Sequence, residues 1–583
     1  MTNLNQALAE KVRVALLKAY GEEKDLLPSF LEPEITQSTQ AQFGHYQCNN
    51  ALKLGKALQL NPRLVAEKII SLIDPSGISK LEVAGAGFIN ITLDASFLAH
   101  QVETLLKDAH LGIDLANPPQ KIIVEFSSPN VAKDLHVGHL RSTIIGDALA
   151  RLFTFLGHHV LRLNHIGDWG TQFGMLIAYM QESAPEVIEG KVDTDITSLM
   201  TWYKASKKKF DEDPEFKKRA QLEVVRLQGG NPESLKAWKM ICAISRKTYN
   251  EIYSLLNVKI EERGESFYNP FLEDVVADLE KKGMITISDG AKCVFLEGFK
   301  TREDTPLPMI VQKADGGYNY DTTDMAAVRH RIFVEKADRI IVLTDLGQSL
   351  HFQMIIKACQ KAGYLDPIKP QMDHVAFGVV LGADGKKFKT RSGKTEKLID
   401  LLQEAVAKAK EAIKERLPDL SEKELEDSAL KLGIGAVKYA DLSCNRIKDY
   451  VFSYDKMLRF EGNTAPFLLY AYVRVNGIKR KVGKDIREVM KRAHITLTQP
   501  AEISLALHIR QFGEALDAAA RELLPNRLTD YLYTLAEKFH HFFHECRVEG
   551  TPEEESRLLL CEATARVLNQ GLNILGLEPL ERM

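Results

Sequence analysis

The chain has 583 residues, more than a single hydrophobic core accommodates, so several compact units are expected. Hydrophobic residues make up 45% and charged residues 27%, and no apolar run approaches the ~20 residues of a bilayer span, which predicts a soluble protein without membrane contact. The formal net charge of −3 neither names nor excludes a nucleic-acid partner, because a basic face fits inside a near-neutral total. Seven cysteines, at 48, 242, 293, 359, 444, 546 and 561, never form a CxxC pair; this argues against a zinc ribbon or a disulfide framework and fits a reducing, cytoplasmic location. The opening MTNLNQALAEKVRVALLKAY has the mixed charge of an amphipathic helix, and no export or organelle signal is read in it.

In chain order, residues 1–112 read as a first unit with helical patterns and a strand-like run, LEVAGAGFINITL, ended by a Pro-rich break at 117–119. A β-branched strand at 121–126, a polar loop and a helix over about 141–156 then make a βα unit. In that helix Ile144, Ile145, Ala148, Leu149, Leu152, Phe153 and Leu156 recur at helical spacing, predicting one packed face, and Gly157 stands at the expected stop. Further strands are predicted at 159–163, 339–343 and 374–381, which suggests a doubly wound parallel α/β sheet. The charged stretch at about 180–300 reads as a mostly helical insertion, and from about 398 onward helical patterns run to the C-terminus.

Three segments carry candidate chemistry. The loop 127–139, SSPNVAKDLHVGH, lies between a strand and its helix, where unpaired N–H groups and the helix dipole favour polyphosphate. Gly138 would let a base or phosphate approach the backbone, and His136 and His139, three apart, can donate to phosphate oxygens; two histidines capping a helix is the alternative. The segment 382–394 brings four lysines and one arginine together after a strand, either as a cationic phosphate loop or as a solvated hairpin around Asp384-Gly385. Residues 476–495 hold seven Lys or Arg against two acids beside Tyr470 and Tyr472, a pattern that suits phosphate and base contacts or a solvated charged helix.

HVGH resembles the HIGH motif of class I aminoacyl-tRNA synthetases, and EFSSPNVAKDLHVGHLRSTIIGDALAR is similar to the arginyl branch of that family. The resemblance continues through NHIGDWGTQFG (164–174), YNYDTTDMAA (318–327), GNTAPFLLYAYVR (462–474) and the closing LERM, and so spans nearly the whole chain. It implies a Rossmann-like catalytic domain at 118–400 with the insertion at 180–300, and an α+β N-terminal domain at 1–112 that touches the tRNA elbow. A helical connector at 401–460 and an all-α anticodon-binding domain at 461–583 complete it.

The implied reaction joins arginine to tRNA(Arg) with ATP and Mg²⁺, without zinc, in a monomer. ATP falls to His136, Gly138, His139, Lys387 and Lys389, and catalysis to His136, His139 and Lys133. The family's KMSKS loop is degenerate here: with Phe388 in the methionine's place, Thr390 stands where the second lysine belongs. Relatives with such a loop are thought to use a lysine just before the HIGH-like tetrapeptide, where Lys133 stands, and the choice among Lys133, Lys387 and Lys389 is open.

A guanidinium is planar, permanently charged and rich in donors, so its pocket needs carboxylates and amides. The resemblance assigns Asp324 as its main partner, Glu125 and Asn130 to the α-amino and carboxylate ends, Tyr320 as a cover, and Gln348 alongside. Tyr46, Gln47, Tyr470, Arg474 and Met583 are the implied tRNA contacts. Two rival functions stay in view: a nucleotidyltransferase of the HxGH type making a small adenylated metabolite, and a catalytically silent relative that binds RNA only.

Overall fold

The structure is a computed structural model that describes residues 3–23, 26–369, 371–382, 384–386, 388 and 397–583. The chain divides into two compact units, one made of Met1–Leu115, Arg459–Asn573 and Pro579–Met583, the other of Ala116–Leu458 and Ile574–Glu578.

In the first unit Asn3 caps the helix Leu4–Tyr20 by accepting from the Gln6 N–H, and the helix buries Leu8, Val12 and Leu16. A four-stranded antiparallel sheet follows, with strands β1 (Ile35–Gln37), β2 (Tyr46–Cys48), β3 (Ile78–Ala84) and β4 (Phe88–Leu93) in the order β1-β2-β4-β3. The run LEVAGAGFINITL is therefore a hairpin of two strands rather than one. The rest of the unit is helical, including Ala465–Val482, Pro500–Arg510, Phe512–Glu522, Asn526–Glu545 and Glu554–Ile574.

The second unit is built on a parallel sheet of β5 (Lys121–Glu125), β6 (His159–Asn164), β7 (Glu261–Glu262), β11 (Arg339–Asp345) and β12 (Met372–Phe377), ordered β12-β11-β5-β6-β7. Ile123 of β5 pairs with Leu161 of β6 and Ile340 of β11, and all three are apolar because helices cover the sheet. The chain starts in mid-sheet at β5, moves outward through β6 and β7, then returns to the other side of β5. That reversal puts a crevice at the carboxyl ends of β5 and β11, where ligands of such sheets bind.

Three further elements differ from their sequence expectation. The helix predicted over 141–156 begins at Val137 and runs to Phe155, because His136 acts as its N-cap and His139 as the reciprocal partner. It is buried on nearly all sides, from Arg141 through Ala150, rather than on one face. The strand predicted over 374–381 breaks after Phe377, and Val380–Leu381 (β13) pairs instead with Tyr450–Val451 (β14). Finally, the stretch 180–300, mostly helical as expected, is not helical throughout: helices run through Leu255 and again over Leu272–Lys281, but between them the chain supplies β7, and after them it enters a three-stranded antiparallel sheet of β8 (Thr286–Ser288), β9 (Ala291–Lys300) and β10 (Pro306–Gln312). The Asp289-Gly290 pair at the β8–β9 turn, with φ of 49° and 78°, is the hairpin signal that the charge of the region obscured. Among the described residues no helix is long and apolar enough to cross a membrane.

Candidate active site

The loop from β5 into the helix Val137–Phe155 is strained and tightly held. Ser127, Ser128 and Ala132 have φ of 67°, 44° and 62°, a region that costs non-glycine residues energy. Polar side chains from three elements support it: the Ser127 N–H donates to Ser142 Oγ (3.0 Å), the Ser128 N–H to Asn164 Oδ1 (3.0 Å) and the Ala132 N–H to Ser245 Oγ (3.0 Å). Asn130 forms a parallel bridge with Gly167, and a Cβ at position 167 would collide with the Asn130 amide oxygen. Gly167 is thus the residue type that lets the loops after β5 and β6 touch.

At the helix start the Gly138 N–H donates to His136 Nδ1 (3.0 Å) and the His136 N–H donates to His139 Nδ1 (3.1 Å). Each Nδ1 is an acceptor, so in each neutral ring the proton resides on Nε2, and two Nε2–H donors stand on rings 4.1 Å apart. Burial, with the charges of His136 and Lys133, pushes His139 down to about 3, so this imidazole is neutral at physiological pH. Lys133 is exposed, its Nζ 5.9 Å over the Tyr203 ring, and its charge adds to the lowering of His139. Lys387 and Lys389 lie outside the described residues.

The carboxylates gather at the carboxyl ends of the same strands. Asp324, in the first turns of the helix Tyr320–Phe333, accepts from His351 Nε2 at 2.6 Å and lies 4.0 Å from His165 Nε2. The other nitrogen of His351 is 3.2 Å from Asp321. Burial opposes charge on His351, but its hydrogen bonds to Asp321 and Asp324 outweigh it and raise the imidazole to about 9. Glu265 accepts from the Trp169 N–H, and burial together with the charges of Asp324 and Asp168 pushes its carboxyl up to about 8. Asp168 is fixed by the Ser266 N–H (2.8 Å) and hydroxyl (2.6 Å), and burial raises its carboxyl. The pocket therefore holds more acid than its own residues neutralise, a site suited to an entering cation.

Tyr320 packs edge-on against His351 with ring centroids 5.0 Å apart and is 59% exposed. Gln348 is exposed just past β11, its amide 3.4 Å from Asp345. Glu125, at the end of β5, is only 6% exposed and its Oε2 lies 2.6 Å from Nη1 of the buried Arg331. Among the described residues no group of three or more His, Cys, Asp or Glu is placed to hold a metal.

The expected RNA contacts divide. Tyr46 is a correction: it is 0% exposed, and its hydroxyl donates to Glu514 at 2.6 Å, because β2 turns that side chain inward onto the helix Phe512–Glu522. Gln47, the next residue, faces the other side of the strand, half-buried, with its amide on Asn90 (2.9 Å). Arg474 stacks over Tyr470 (4.9 Å) and Phe543 (5.1 Å) and donates to the Tyr470 hydroxyl at 2.9 Å. It lines a cleft of about 490 Å³ with Lys481, His544 and Arg547. Met583 is half-buried in the same unit.

A strand-order switch point, a histidine turn at a helix N-terminus and an appended helical bundle define a class I aminoacyl-tRNA synthetase, and residues 101–454 match the model of the class I (R) synthetase catalytic domain. Residues 5–93 match the arginyl tRNA synthetase N terminal domain, and 468–583 the DALR anticodon binding domain. The chain is 61% identical over 585 residues to the arginine–tRNA ligase of Protochlamydia amoebophila, covering 100% of both, and 50% identical over 576 residues to that of Chlamydia abortus, covering 99% of both. Its fold superposes on the crystal structure of the Plasmodium falciparum arginyl-tRNA synthetase with a TM-score of 0.87 and 32% identity, covering 100% of both chains. This chain belongs to the arginyl-tRNA synthetase family.

Sequence reasoning missed Glu265, His165, His351 and Asp321. His351 stands three residues after Gln348 and Asp321 within YNYDTTD, so both were within reach of the motifs. Glu265 carried no signal: it sits in a charged stretch read as insertion, and only the pairing of β7 with β6 brings it to the cleft.

Proposed function

We propose that the chain activates arginine with ATP and transfers the arginyl group to the terminal ribose of tRNA(Arg), releasing AMP and pyrophosphate. The observation that carries this reading is the acid cluster of Asp324, Glu265 and Asp321 at the same strand ends as the His136–His139 turn. Asp324 and Glu265 take the guanidinium, and Tyr320 and Gln348 close over it. The Oε1 of Glu125, with Oε2 committed to Arg331, and Asn130 hold the α-ammonium and carboxylate.

ATP enters as its magnesium complex. The arginine carboxylate attacks the α-phosphorus and pyrophosphate departs, with no protein nucleophile. His136 and His139 donate from Nε2 and Lys133 adds a cation as charge spreads over the phosphates, so catalysis is alignment and electrostatic support. The Arg474–Tyr470–Phe543 cleft takes an unstacked base of the anticodon loop, and Gln47 faces the tRNA elbow. The enzyme works as a cytoplasmic monomer.

Aminoacylation of unfractionated tRNA with each of the twenty amino acids tests class and specificity together. Arginine alone is expected to be joined, with ATP–pyrophosphate exchange dependent on added tRNA. Robust exchange without RNA would overturn the tRNA dependence, and turnover that survives deletion of 460–583 would favour the small-metabolite nucleotidyltransferase instead.

The pocket also predicts a pH dependence. At pH 7 Glu265, raised to about 8, is largely protonated, and His351, raised to about 9, is largely charged against Asp324. An entering guanidinium favours ionised Glu265 and neutral His351, so binding releases protons. Arginine affinity is expected to rise between pH 6.5 and 8, by up to about tenfold per pH unit for each proton released. Calorimetry in buffers of different ionisation enthalpy reads the protons directly, and Glu265→Gln should lower their number; the same release in the variant would remove Glu265 from the pocket.

A further inference from the structure

The strand that leads into the 382–394 loop is gripped by a short segment far along the chain. The Gly378 N–H donates to the Arg446 carbonyl (2.9 Å), Arg446 Nη1 to the Ala376 carbonyl (2.6 Å), the Val379 N–H to Asp449 Oδ1 (2.7 Å) and the Phe452 N–H to the Leu381 carbonyl (2.9 Å). Beyond these, the rings of Phe388 and Phe452 pack with centroids 5.3 Å apart. The approach is close enough that a Cβ on Gly378 would stand 2.6 Å from Asp449 Oδ1 and 2.8 Å from the Lys448 carbonyl oxygen.

The same segment is anchored to the helix that begins at the histidine turn. Arg141, one turn past His136–His139, lies with its guanidinium 5.1 Å over the Tyr450 ring and its Nε 3.3 Å from Asp441 Oδ1. Both charged side chains are 0% exposed, and neither Nη1 nor Nη2 of Arg141 has a hydrogen-bond partner among the described residues. Burial raises the Asp441 carboxyl to about 6 despite the neighbouring Arg141. Two desolvated charges joined by one long contact add little stability, and apolar residues of similar size commonly replace such a pair without loss. What the pair does provide is direction: Asp441, on the helix Glu422–Leu442, holds the Arg141 guanidinium where it lies over the Tyr450 ring of β14.

We propose that Arg446–Phe452 is a strap which, through Arg141, Asp441 and Tyr450, holds the strand end Ala376–Leu381 in register with the His136–His139 turn, making these positioning residues for the ATP step. The inference rests on the reading of the His136–His139 turn as part of the nucleotide site.

Asp449 is exposed, so Asp449→Ala removes one grip without threatening the core; the double variant Arg141→Met with Asp441→Leu removes the anchor while keeping volume. Both are compared with His139→Ala by steady-state aminoacylation and thermal melting. The expected result is an ATP KM raised about fivefold in Asp449→Ala and about tenfold or more in the double variant, with arginine KM within about twofold and His139→Ala impaired in ATP use. Unchanged ATP kinetics in a folded variant, or equal losses toward ATP and arginine, would overturn the strap while leaving the nucleotide site standing. A His139→Ala enzyme with normal ATP kinetics would overturn both together. Should the double variant fail to fold, Asp449→Ala decides alone.

Discussion

Asp324→Asn is expected to lower kcat/KM for arginine by about 100- to 1,000-fold while leaving ATP KM within about threefold. Removing one partner of a desolvated, hydrogen-bonded charge pair costs about 2–5 kcal/mol, and each 1.4 kcal/mol is about tenfold. The asparagine keeps the shape but presents an NH₂ where the guanidinium needs an acceptor, so a repulsive donor pair replaces an attractive one. It also strips His351 of one of the two carboxylates that hold it charged, so the imidazole should titrate below its present value of about 9. Arginine titrations of aminoacylation velocity measure the first effect and the histidine proton resonances the second. An arginine KM that moves less than about fivefold would mean that the guanidinium is bound elsewhere, with Glu265 and Asp168 the carboxylates to test next.

What could be read ahead of the coordinates follows from how local each signal is. The β5 loop, its histidines and the flanking helix lie within one βα unit, so strand, turn and helix periodicity define them together. The helix start was misplaced because the capping pair is two imidazoles, where Ser, Thr, Asp or Asn with a following Glu or Gln is the usual sign. Tyr46 was misread for the opposite reason: alternation along a three-residue strand offers no internal clue to which face is covered, and the cover comes from Glu514, 468 residues away. Glu265 and the Arg141–Asp441 pair share that dependence on distant segments. A buried arginine in a helix of otherwise apolar pattern reads as an exposed position until its partner, 300 residues on, is known. The family resemblance supplied residues with motif neighbours, whereas those that act through tertiary placement alone needed the sheet order.

His139 lets the chemistry of the turn be separated from its architecture. His139→Ala is expected to slow adenylate formation by about 100- to 1,000-fold, the usual cost of one lost donor to developing charge, with arginine KM within about threefold. Alanine, however, also removes the acceptor for the His136 N–H, a cap contact worth about 1 kcal/mol of stability. Two further variants divide these effects. His139→Asn can return an oxygen near the Nδ1 position and restore the cap without a donor at Nε2, so it should melt like the parent yet activate arginine slowly. His139→Gln can reach the Nε2 position with an amide N–H and should recover part of the rate.

Because burial holds His139 at about 3, it is already neutral well below the working range, and the rate of activation should show no limb from this residue between pH 5 and 9. That flat profile distinguishes a hydrogen-bond donor from a general acid: an acid would lose its proton, and its rate, as pH rises through its own titration. A rate limb in that range that vanishes in His139→Gln would assign proton transfer to the ring after all.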